Sequence, residues 1–139
     1  MAMELFVILA LQDVPSSDEL NAAAAKLSVP VVWESNVEIL RHTGFLPAKL
    51  AGIDSGSEVS VTDYSEIKSF LPEHDTSNIV DPVVVSFRWG GDFQEASVSM
   101  YAAYVLAETY TTLSFEPQSG IFLSAVQLQE GAMAMQGMN

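Results

Sequence analysis

Between Asp81 and Tyr110 the chain reads DPVVVSFRWGGDFQEASVSMYAAYVLAETY, and the spacing of its apolar residues changes halfway. Val83, Val85, Phe87 and Trp89 alternate with Val84, Ser86 and Arg88, the two-residue period of a strand. Pro82 suits the first position of that strand, where a missing donor costs least. Gly90-Gly91 breaks it, and Asp92 with Glu95 three residues on has the form of a capping box. Beyond the cap, Phe93, Ala96, Met100, Ala103 and Ala107 make one stripe, which Tyr101, Tyr104 and Val105 widen. So broad an apolar surface belongs to a helix packed across a sheet, with Trp89, Tyr101 and Tyr104 at core spacing.

The same reading extends to the rest of the chain. Residues 3–11 are apolar on both faces and predict a central strand. Ser16 and Glu19 cap a helix running to about Leu27, with Leu20, Ala23, Ala24 and Leu27 turned inward. A strand follows over Val29–Trp33, and Ser35 with Glu38 predicts a short helix that Gly44 ends. Segments 45–51 and 57–62 read as a hairpin joined by Gly52-Ile53-Asp54-Ser55-Gly56. Asp63 and Glu66 predict a helix over 64–71, followed by a polar loop to Asn78. Thr111–Phe115 is a further strand, 116–120 a turn that can start a short hairpin return, and Ser124 with Gln127 caps a last helix. Together these predict one α+β domain over 1–139, with a mixed, mostly antiparallel sheet of about five or six strands and helices packed mainly on one face.

Composition adds two constraints. With 139 residues, 49% of them hydrophobic, the chain can bury a proper core. It has no cysteine, no apolar run of membrane-spanning length, and an acid, Glu4, ahead of the apolar Leu5–Leu11 stretch. Those features predict a cytoplasmic protein whose first apolar segment is a strand rather than a signal peptide. Charge is the outlier: 18 acids against 5 bases give a net −13. Such a chain repels nucleic acid and anionic membranes and attracts basic partners, although acidity also serves solubility alone.

Candidate chemistry is sparse. Six acids are assigned to helix starts: Glu19, Glu38, Asp63, Glu66, Asp92 and Glu95. Glu73-His74-Asp75 has the residue types of a metal cluster, but no second His at helical spacing and no Cys supports it. A Gly-rich turn entering a helix can cradle phosphate, yet here its cap is the carboxylate of Asp92. No serine has nucleophile-elbow spacing, so no catalytic residue, metal or cofactor is expected. Arg88, on the second face of its strand, is expected to pair with Glu58 or Glu116, with a ligand carboxylate as the alternative. From Asp54 to Asp81 lie seven acids and one base, Lys68. Asp54, Glu58, Glu73, Asp75 and Asp81 are the expected docking face for a cationic protein.

The segments GFLPAKLAGIDSGSEVSV (44–61), VVVSFRWGGDFQEAS (83–97) and FEPQSGIFLS (115–124) resemble small bacterial immunity proteins of toxin–immunity systems. That resemblance implies a non-enzymatic, single-domain cytoplasmic protein that binds and neutralises a cognate basic toxin domain. Two other readings stay open, the second of them on the same acids. One is an enzyme or small-molecule binder with a pocket near Arg88, Trp89 and Tyr101; the other is a nucleic-acid mimic.

Overall fold

Because β1 (Met3–Ala10) is apolar on both sides, it must be covered on both, and it lies inside the sheet. The computed structural model describes residues 3–138. These form β1, β2 (Val31–Trp33), β3 (Thr43–Leu50), β4 (Ile53–Asp63), β5 (Pro82–Trp89), β6 (Thr112–Glu116) and β7 (Ile121–Leu123), with helices α1 (Ser17–Lys26), α2 (Phe93–Thr109) and α3 (Ala125–Gln136). The strands make one seven-stranded sheet in the order β2-β3-β4-β5-β1-β6-β7. Every pairing between these strands is antiparallel, where the sequence pattern suggests a mixed sheet. The reason is placement. β5 and β6, joined by α2, sit either side of β1 instead of next to each other.

The alternation of β1, β4 and β5 divides the molecule. Leu5, Val7 and Leu9 face the helices together with Val59, Val85, Phe87 and Trp89, and α2 crosses them with Ala96, Val98, Tyr101, Ala102 and Val105. α2 is buried on nearly all sides because α1 and α3 flank it, so its sequence shows little amphipathic contrast. Small residues let α3 approach: Ser97 Oγ donates to the Ala132 carbonyl at 2.7 Å, and a Cβ on Gly131 would stand 2.8 Å from Met100 Sδ. Tyr101 donates its hydroxyl to Gln136 Oε1 at 2.8 Å. All three helices thus cover one face, as expected.

The other face is half covered, by the crossover between β4 and β5. Ile67 and Ile79 of the crossover pack on Ile8, Ala10 and Val84. His74 fastens it. Its Nδ1 donates to the Pro72 carbonyl at 2.7 Å, which leaves Nε2 to accept the Tyr64 hydroxyl. The imidazole also lies 5.6 Å from the Phe122 ring, itself 5.1 Å from Phe115.

Three local expectations change. Segment 64–71 forms two 3-10 turns rather than an α-helix, a tighter path that turns Tyr64, Ile67 and Leu71 onto the sheet. β3 already begins at Thr43, and of the helix expected after Ser35 only the 3-10 turn Ile39–Arg41 forms. The backbone ahead of it is held by α1 instead: Ser17 N–H donates to the Val37 carbonyl and Val37 N–H to Ser17 Oγ. The β3–β4 turn is Ala51-Gly52, with φ of +50° and +82°, rather than 52–56. A two-residue turn with both central φ positive matches the strand twist, so Asp54, Ser55 and Gly56 join β4.

Capping follows the same pattern. Ser16–Glu19 and Ser124–Gln127 are complete boxes, and Asp92 caps α2 without a return bond from Glu95. Glu38 and Asp63 make no side-chain cap bond.

Gly56 is required where it stands. Its φ is +146°, and an added Cβ would lie 2.5 Å from both the Leu46 carbonyl oxygen and Phe45 Cζ. Gly56→Ala is expected to lower stability by about 2 kcal/mol or more. Gly90→Ala, with open space at its Cβ, should shift it by less than about 0.5 kcal/mol. Urea unfolding of the two variants checks both; equal midpoints would contradict the packing described.

Candidate functional site

The uncovered half of the sheet carries a transverse row of directly paired residues: Phe45 on β3, Glu58 on β4, Arg88 on β5 and Glu4 on β1. The next row is Thr43, Ser60, Ser86 and Phe6. Three short hydroxyl side chains in the middle of a sheet leave it low there, and the beginning of the crossover stands up beside them. The result is an open depression of about 640 Å³, lined among others by Glu4, Glu58, Asp63, Glu66, Ser86 and Arg88.

Its charge is lopsided. Four carboxylates surround one guanidinium. Among the described residues no carboxylate stands within ion-pair distance of Arg88, although Glu4 and Glu58 flank it across the ladders. The expected pairing with Glu58 is therefore a register neighbour without a closed bridge. Pairing with Glu116 does not occur: that carboxylate accepts from Ser119 N–H and Oγ at 2.6 and 3.0 Å in the β6–β7 turn. Even a closed ion pair at such an exposed site would contribute only about 0–1 kcal/mol.

The acidic field reaches around the end of the sheet to α2. Partial burial raises Glu95 above its ordinary 4.5, and the charges of Asp92 and Glu58 push the same way. Asp75 is shifted down instead, by the Ser77 backbone N–H, which donates to its Oδ1 at 2.8 Å, and by the Ser77 hydroxyl.

The five acids expected to form one docking face are divided by the structure. Glu58 lies in the depression. Asp54 is on the same sheet face nearer the hairpin end, 3.8 Å from Lys49 Nζ. Glu73 and Asp75 sit on the crossover, where Asp75 holds a local turn. Asp81, at φ +47°, immediately precedes β5, beside Leu11 and Lys68. In exchange, Asp63 and Glu66 line the depression. The capping pattern of the sequence assigns both to a helix start, and no α-helix forms there.

The predicted pocket of Arg88, Trp89 and Tyr101 does not assemble. Arg88 is exposed on the open face, whereas Trp89 and Tyr101 are buried on the helix side, as strand alternation requires. Glu4 and Phe45 were missed, and the signal that finds them is the even-numbered face of β1 with the odd-numbered face of β3. Apolar surface adjoins the acids: Phe45 is 49% and Val32 62% exposed on this side of the sheet. Among the described residues no group of three or more His, Asp and Glu is placed to hold a metal ion, and no helix is long and apolar enough to cross a membrane.

Comparison with protein-family models, with curated proteins and with solved structures returns no match.

The upward shift at Glu95, from burial first and neighbouring charge second, has a measurable sign. Its charged form is disfavoured in the fold, so its contribution to stability is present below 4.5 and is lost as pH rises through the raised folded value. Glu95→Gln is expected to stabilise the protein at pH 7 by about a few tenths of a kcal/mol after solvent screening, and to have no effect below about pH 4. Urea midpoints at the two pH values read the difference; a gain that persists in acid would contradict the electrostatic cause.

Proposed function

We propose that this chain is a non-enzymatic binding protein of the immunity type, which docks a cognate basic toxin domain on the open face of its sheet. One observation carries the reading. A half-sheet left uncovered by the chain's own helices and crossover presents Glu4, Glu58, Asp63 and Glu66, with exposed Phe45 beside Glu58. Exposed Val32 lies farther along the same face, beside Lys49 and Asp54. Carboxylates around an apolar anchor fit a folded basic protein, for which charge sets encounter and orientation and the anchor sets residence time. A nucleic-acid mimic would use the acids but has no need of Phe45. The resemblance of 44–61 and 83–97 to immunity proteins supports the same reading, since those segments include most of β4 and of β5. Bacterial origin and a cytoplasmic location belong to this proposal.

The test is association kinetics with the product of the adjacent reading frame. Glu58→Lys/Glu66→Lys should slow association by about tenfold or more and flatten its salt dependence. Phe45→Ala should leave association nearly unchanged and speed dissociation by about tenfold. Unchanged constants in both variants would remove this face from the proposal, and absence of any complex would remove the immunity reading itself.

A further inference from the structure

β2 is the outermost strand on its side, and among the described residues the one strand it pairs with is β3. On the inner side, Ala51 N–H donates to the Pro30 carbonyl at 2.7 Å and Glu34 N–H to the Pro47 carbonyl at 2.9 Å. Antiparallel alternation then makes Val32 the residue that bonds β3, while Val31 and Trp33 turn their N–H and C=O outward. Outward groups of that kind are a template for another strand.

At Trp33 both are taken by one side chain. Trp33 N–H donates to Asn21 Oδ1 at 2.8 Å, and Asn21 Nδ2 donates to the Trp33 carbonyl at 2.9 Å. A primary amide offers donor and acceptor side by side, as a peptide group on a neighbouring strand would. Asn21 lies in α1 just before Ala22-Ala23-Ala24-Ala25, a run of the best helix former, where asparagine is a poor choice for the helix itself. The amide's role is on the strand. α1 closes over the rest: Val31 and Trp33 are each 2% exposed, against 62% for Val32 between them.

We infer that Asn21 seals the β2 edge and prevents a second copy of this chain from adding its own β2 there. The occupant excluded is a like strand because Val31-Val32-Trp33 is wholly of β-favouring apolar residues, and antiparallel β2–β2 pairing is self-complementary about a two-fold axis. Exposed Val32 would add apolar surface to such a contact. The edge is short: Asn21 takes the outward groups of Trp33, and α1 covers Val31.

The experiment is light scattering over a range of concentration on the full chain. Asn21→Ala should shift the mass from the 15.0 kDa monomer toward twice that value as concentration rises. Asn21→Ala should also lower Tm through the lost Trp33 bonds. Adding Val32→Lys places a charge on the unsealed edge and should restore the monomer without restoring Tm, which separates sealing from mere anchoring of α1. A monomeric Asn21→Ala protein, or equal association of the double variant, overturns the inference. Hydrogen exchange on the unsubstituted protein gives a reading that does not depend on variant folding: the Trp33 amide should be protected as long as the amides of α1, and free exchange there equally overturns it.

Discussion

Strand alternation across β1, β4 and β5 is the constraint on which the rest depends. Each of these strands sends one set of side chains to α2 and the other set to the opposite face, and a slip of one residue would exchange them. On the helix side, Leu5, Val7, Leu9, Val85 and Phe87 are nearly inaccessible. Truncating a residue of that kind to alanine costs about 2–5 kcal/mol, a large fraction of what a domain this size has. Exposed charges on the other side contribute little to folding. That side is therefore free to be shaped by binding.

Coverage of the second face is what makes a site. The crossover, fastened by His74 between Tyr64, Pro72 and Phe122, shields Ile8, Ala10 and Val84. It stops short of Arg88, Glu58 and Phe45. The boundary between shielded and open sheet is where Asp63 and Glu66 rise beside the low hydroxyl row. His74 is thus a structural residue, and Glu73-His74-Asp75, the most metal-like stretch of the sequence, is a loop anchor.

Much of the architecture was legible because it rests on long periodic segments: β1, β5, α1, α2 and α3 lie close to where apolar spacing and capping residues place them. What was not legible involves partners distant in sequence. Nothing local says that Val37 is claimed by Ser17, or that Ala51-Gly52 makes a tighter turn than the glycine-rich stretch following it. The site was read in fragments for a related reason. Glu58 and Arg88 were singled out individually, but only the β4–β5 and β1–β5 registers put them in one row with Glu4, and only the β3–β4 register adds Phe45. Capping logic also removed Asp63 and Glu66 from consideration, since the rule holds where a helix forms and no α-helix forms there.

The central claim, that the open half of the sheet is the docking surface, is tested most directly by hydroxyl-radical footprinting of the complex with the adjacent reading frame's product. Phe45 and Val32 should lose reactivity on binding, while Val126 and Met133 of α3, 61% and 59% exposed, should keep theirs. Protection of α3 with Phe45 still reactive would contradict it and move the docking surface to the helix side.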